Sequence, residues 1–115
     1  MSDDLIGMSA VDLLAGYRAG RFSPLEATRA VLDRIHAVND KINAFMIIDD
    51  EGALAAAKAS EERWAKGAPK GLLDGVPVTI KALVLTKGWP TLKGSLTVDP
   101  AGPWDADAPC LARSR

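Results

Sequence analysis

Residues 71–81, Gly71-Leu72-Leu73-Asp74-Gly75-Val76-Pro77-Val78-Thr79-Ile80-Lys81, constrain the fold of this chain more than any other segment. Two turn-forming glycines lead into a short β-branched run, and the run ends on a lysine. Residues 76–80 have the length and composition of a buried strand. A strand cannot satisfy its own backbone, so it demands a partner. Ala44-Phe45-Met46-Ile47-Ile48, a short apolar run bounded by polar residues, is the available one. A helical pattern separates the two runs, and strands separated by a helix point to an α/β fold with an at least partly parallel sheet.

The helices announce themselves through their ends. Ser9-Ala10-Val11-Asp12 resembles a capping box, Val11, Leu13, Leu14 and Tyr17 form an apolar stripe, and Gly20 is a suitable stop. Ser23 as N-cap, Pro24 at the first helical position and Glu26 three residues after the cap specify a second start. Leu25, Thr28, Val31, Leu32, Ile35 and Val38 follow at helical spacing, and a turn is predicted over 39–43. Asp49 or Asp50 caps a third helix over about residues 51–66, closed by Gly67 and Pro69. Residues 1–70 are therefore expected to be mainly helical. Residues 71–115 should hold a strand and then a long loop punctuated by Gly88, Pro90, Gly94, Pro100, Gly102, Pro103 and Pro109. The start of a further helix is read at Asp107. Two strands and three helices bury only a modest core. The whole is expected to be a single partial domain, the front of something larger.

Composition limits the chemistry. Fourteen basic and fifteen acidic residues leave a formal charge of −1, which gives no reason to expect nucleic acid or a membrane surface as a partner. No apolar stretch approaches membrane-spanning length, and the acidic Met1-Ser2-Asp3-Asp4 does not look like a signal peptide. With one cysteine and one histidine, no internal disulfide and no zinc site of usual composition can form. A cytoplasmic protein is expected.

Few side chains stand out. Alternation puts Val76, Val78 and Ile80 on one face of the strand and Pro77, Thr79 and Lys81 on the other. Taken alone, Lys81 is a solvated surface lysine. To serve as a base it would need desolvation and a hydroxyl within reach. His36 reads as a surface residue and Cys110 as a half-buried helix residue. Trp89 and Trp104 read as packing residues of the loop, and Asp99, Asp105 and Asp107 as turn or cap residues, not metal ligands. The Gly71/Gly75 pair is no phosphate loop, because no helix start follows it.

Together the motifs carry more than any one of them. Gly71-x-x-x-Gly75-Val76-Pro77-Val78-x-Ile80-Lys81, then Lys87-Gly88-Trp89-Pro90-Thr91-x-x-Gly94-Ser95, then Asp107-Ala108-Pro109-x-x-Ala112-Arg113 resembles the N-terminal portion of the amidase signature family. The upstream helices and Asn43-Ala44-Phe45 are similar to the family's opening. The resemblance implies the first part of an α/β/α sandwich with a mixed sheet. It also implies amide hydrolysis through a Ser–Ser–Lys triad and an acyl-serine, with no metal or organic cofactor and a small-molecule amide as substrate. The triad lysine falls on Lys81.

The nucleophile, the bridging serine and the oxyanion loop have no counterpart in these residues. None of Ser2, Ser9, Ser23, Ser60, Ser95 or Ser114 sits in a matching context. Ala82 stands where the family commonly has aspartate. Alone, the chain should be inactive, and its uncovered apolar surface should drive it to oligomerise. The family also includes the amidase subunit of the tRNA-dependent amidotransferase, which takes ammonia from glutamine. The other readings are that amidotransferase component and a non-catalytic remnant.

Overall fold

The computed structural model describes residues 2–115, with helices α1 (Ser2–Ile6), α2 (Ala10–Ala19), α3 (Pro24–Ile42), α4 (Asp50–Ala65) and α5 (Pro109–Ala112). The chain divides into two compact units, Met1–Pro77 and Val78–Arg115. Helices α2, α3 and α4 follow from their caps. Ser9 Oγ accepts from Asp12 N at 3.1 Å, and Gly20 closes α2 in the left-handed region at φ 68°. Glu26 N donates to Ser23 Oγ at 3.2 Å while Ser23 N donates to Glu26 Oε2 at 2.7 Å, a complete capping box. At the head of α4 it is Asp49 that caps, Oδ1 accepting from Gly52 N at 3.0 Å.

The helices of the first unit differ from the sequence reading in two places. The predicted turn over 39–43 is helical up to Ile42, and the stop is Asn43, which adopts φ 48° and donates its N–H to Asn39 O. Asn39 and Asp40 are weak helix formers, but ending the helix needed a residue tolerant of positive φ, and that is Asn43. The short α1 is an addition to the expected helices; it packs on α3, and its Leu5 is buried in the core.

In the first unit α1 and α4 both pack against α3. The core joins Leu5, Leu13, Tyr17, Phe22, Ala27 and Ala30, with Met8, Leu14 and Trp64 against it. The Tyr17 ring meets Phe22 edge-on at 5.7 Å and Trp64 at 5.9 Å between centroids. Gly16 faces the Phe22 ring so closely that a Cβ would overlap it. Val11, expected on the buried stripe, is 74% exposed.

The expected mixed sheet is not formed among the described residues. The isolated antiparallel bridge Thr86–Trp89 is the β pairing found among them. Residues 44–48 form no ladder, and at Phe45 a side chain engages the backbone instead. Asn39 Nδ2 donates to Phe45 O at 3.1 Å, and Phe45 N donates to Asn39 Oδ1 at 3.0 Å. Residues 76–80 open with a turn bond, Val76 N to Leu73 O at 3.0 Å, and continue without regular structure. β-branched composition suits a pleated surface, but it does not supply the neighbouring strand.

The second unit is a loop pinned at several points. Gly88 N donates to Trp104 O at 2.8 Å, Lys93 N to Ala82 O at 3.0 Å and Ala108 N to Leu85 O at 2.8 Å. Trp104 is half-buried and its indole N–H donates to Pro100 O at 2.8 Å. α5 starts one residue later than expected, with Ala108 and not Asp107 at its N-cap, and Cys110 on it is exposed instead of half-buried. Leu96 is fully exposed here, and Leu72 of the first unit is 93% exposed.

Candidate functional site

Lys81 lies in the second unit, exposed, just after the irregular run 76–80; its backbone carbonyl accepts from Val84 N at 3.0 Å. Its ammonium meets no acceptor at hydrogen-bond distance among the described residues. The desolvation that a lysine base requires is absent at such a side chain. Thr79, placed on the same face in the sequence reading, is also exposed. The structure does not bring the two into a hydrogen bond.

The polar constellation these residues do assemble lies elsewhere, at a residue the sequence reading did not single out. It centres on Asp74, whose side chain is only 5% exposed. Arg63 grips the carboxylate with two bonds, Nε to Oδ2 and Nη2 to Oδ1, each 2.7 Å. Ser60 Oγ donates to Oδ1 at 2.7 Å and Lys70 N to Oδ2 at 2.7 Å. The backbone is held as well: Trp64 Nε1 donates to Asp74 O at 3.0 Å, and Tyr17 Oη donates to Gly75 O at 2.9 Å.

Ser60, Arg63 and Trp64 are three and four residues apart on α4, so they share one face. That spacing, followed by the Gly67/Pro69 helix stop and an aspartate a few residues on, was the available signal.

Arg63 is the chief cause that holds the Asp74 carboxyl well below the usual carboxylate range, and its side-chain hydrogen bonds outweigh the opposing effect of burial. The Lys70 N–H and Ser60 hydroxyl add to it. The same pair raises Arg63 above its ordinary value. Burial pushes the Tyr17 phenol up to about 12.

The signs of these shifts set a pH window. Asp74 is depressed in the folded state, so its contribution is present above its unfolded value, about 4, and is lost as pH falls through the folded value. Tyr17 is raised, so its contribution is complete below about 10 and is lost as pH rises toward about 12. Thermal midpoints measured against pH should therefore fall off on both sides of that window. Tyr17 is the only tyrosine, so absorbance at 295 nm reads it directly. A midpoint near 10 in the folded protein would contradict the burial described.

Other anticipated residues fall in place individually. His36 is exposed, and its Nε2 lies 2.8 and 2.9 Å from the two Asp50 carboxylate oxygens, tying α3 to the first turn of α4. Asp99 Oδ1 accepts from Ala101 N at 2.9 Å, a turn role as expected. Asp107 does more than cap a turn: Oδ1 accepts from Lys87 N at 2.7 Å and Oδ2 pairs with Arg115 Nε at 2.8 Å. These bonds lower its carboxyl below the ordinary value, the Lys87 N–H first. An open groove of about 790 Å³ runs along the first unit, lined among others by Arg18, Arg21, Glu26, Arg29 and Glu61. Three arginines against two glutamates leave it only a small excess of positive charge.

The profile of the amidase family matches residues 26–109, which include Lys81, Asp74 and the partners of its carboxylate, Ser60, Arg63 and Lys70. The A subunit of a glutamyl-tRNA(Gln) amidotransferase from Salinispora arenicola (strain CNS-205) is 49% identical over 92 residues, 80% of this chain and 19% of that protein. A protein of the same name from Myxococcus xanthus (strain DK1622) is 44% identical over 103 residues, 89% of this chain and 21% of its own. An indoleacetamide hydrolase of Bradyrhizobium diazoefficiens is 45% identical over 86 residues, 75% and 16% of the two chains. The chain thus spans about a fifth of the length of the amidotransferase subunits it matches. No solved structure matches. With its motifs and the family profile in agreement over most of its length, this chain belongs to the amidase family.

Proposed function

We propose that this chain is the lysine-bearing N-terminal part of an amidase subunit of the glutamyl-tRNA(Gln) amidotransferase type, acting on glutamine to release ammonia. The supporting observation is the 49% identity to the Salinispora arenicola protein over 92 residues. It favours this reading over the free amide hydrolase that the motifs alone suggested.

In this reading Lys81 takes a proton from a bridging serine, which in turn activates the serine nucleophile. Attack on the side-chain amide of glutamine gives a tetrahedral oxyanion, held by backbone N–H groups. Its collapse releases ammonia and leaves an acyl-serine, which water hydrolyses to glutamate. By the family resemblance, both serines and the oxyanion donors would come from polypeptide beyond the matched segment. The 115 residues alone are expected to be inactive. The burial that Lys81 needs is assigned to that same polypeptide. So is the mixed sheet, with residues 44–48 and 76–80 as its candidate strands. Charged tRNA would be met elsewhere in the assembly, since a formal charge of −1 gives this chain no marked attraction for a polyanion.

A second reading, hydrolysis of a free aryl-acetamide, is supported by the 45% identity to the indoleacetamide hydrolase. Capture of the native polypeptide with an antibody against this segment separates the two. Expected is a chain several times heavier than 12.1 kDa, accompanied by partner subunits, whose release of ammonia from glutamine rises when glutamyl-tRNA is added. Hydrolysis of indoleacetamide by a single polypeptide, with glutamine inert, would overturn the proposal. So would a catalytically silent species of 12.1 kDa.

A further inference from the structure

We propose that Asp74 is a positioning residue for Lys81: its carboxylate fastens the Asp74–Gly75 dipeptide to α4 and fixes the point from which the lysine-bearing segment departs. The inference rests on the reading of Lys81 as the catalytic base.

Six hydrogen bonds converge on two residues. Four reach the Asp74 carboxylate, from Ser60 Oγ, Lys70 N and both Arg63 nitrogens. Two reach the carbonyls of Asp74 and Gly75, from Trp64 and Tyr17. The donors come from α2, α4 and the turn after α4, so the dipeptide is tied in several directions. Gly75 also sits against Pro24 and Ser60 with no room for a side chain. A solvated surface turn needs none of this.

The segment after the dipeptide gives the anchor a purpose. Lys81 is six residues beyond Gly75, and residues 78–80 contribute no backbone hydrogen bond to the turns and loops. With the carboxylate gone, the Trp64 and Tyr17 bonds to the two carbonyls are the last ties before Lys81. If they loosen with it, the preceding fixed point is Ala68, whose N–H is bound to Arg63 O at 2.9 Å, thirteen residues before Lys81. Doubling a flexible tether dilutes its end about threefold. A displacement of about 1 Å in a catalytic group can cost about a hundredfold in rate. A base must be within hydrogen-bond reach of the proton it takes, so its tether matters.

The test uses a chimera in which residues 1–115 replace the matching segment of the Salinispora arenicola protein, produced with its partner subunits. Asp74→Ala should lower kcat for glutamine about tenfold or more while KM stays within about twofold, at a temperature well below the unfolding midpoint. Asp74→Asn keeps one acceptor oxygen, for either Ser60 or Lys70 but not both, and should fall between the parent and Asp74→Ala; it serves also if the alanine variant does not fold. A loss of positioning depresses kcat selectively, whereas a purely structural role lowers the unfolding midpoint and leaves kcat per folded molecule unchanged. The latter result, with an active parent, overturns this inference alone. An inactive parent chimera overturns the reading of Lys81 as a base that this chain can supply, and the positioning role with it.

Discussion

Lys81→Ala in the same chimera is expected to lower glutaminase kcat by about 10³–10⁴-fold, the largest effect of any single substitution in this chain. The argument is chemical. An unassisted serine hydroxyl is a poor nucleophile, and in a Ser–Ser–Lys relay the lysine is the only group that can accept its proton. A thousandfold loss corresponds to about 4 kcal/mol of barrier. Binding of glutamine should be little affected, so the loss should appear in kcat with KM close to that of the parent. Lys81→Arg should not rescue it, because a guanidinium stays protonated and cannot act as a base. Ammonia release measured at saturating glutamine decides the matter. Activity within about threefold of the parent would remove Lys81 from the mechanism.

The second large effect concerns stability. Gly75→Ala should destabilise the protein by about 2–5 kcal/mol, the sum of a positive-φ penalty of about 1–2 and an overpacking cost of about 1–3. Gly75 has φ 86°, and a Cβ there would lie 2.7 Å from both Pro24 Cγ and Ser60 Oγ. Neither neighbour has anywhere to go, since Pro24 and Ser60 are the largest side chains that are completely enclosed. A drop of roughly 10–30 °C in thermal midpoint follows for a domain of this size. Gly67→Ala is the control: φ is 67° there, and nothing lies within 4 Å of the added Cβ. It carries the backbone penalty without the clash. If circular dichroism at 222 nm finds Gly75→Ala no worse than Gly67→Ala, the packing around Gly75 is not as described.

The parts of this fold legible in the sequence are those decided within one helical turn. Ser9, Ser23-Pro24-x-Glu26 and Asp49 each act on backbone N–H groups three residues away, and each marks its helix start. The family motifs were legible for the same reason, being local strings. Sheet formation was not, because a ladder depends on a distant partner, and at Phe45 the Asn39 amide takes the partner's place.

The Asp74 constellation was hidden for a related reason. Asp74 looks like a turn aspartate between two glycines. Its depth depends on Tyr17 reaching across 58 residues of sequence to the neighbouring carbonyl. Lys81 was legible both as a motif residue and, from its place on the less apolar face of its run, as a solvated side chain, and the structure leaves it exposed.

The separation in sequence between interacting groups also bears on how such a chain is made. In the first unit α3 packs with α1 before it and α4 after it, and Arg63 meets Asp74 only 11 residues away. Short-range pairings of this kind can form while a polypeptide is still being synthesised, since helices assemble in about a microsecond and translation adds only about 5–20 residues each second. The bond from Tyr17 to Gly75 is the long reach, and every partner it needs has been synthesised once Gly75 has left the ribosome. Lys81 follows six residues later, so the first unit has time to set before the lysine is free.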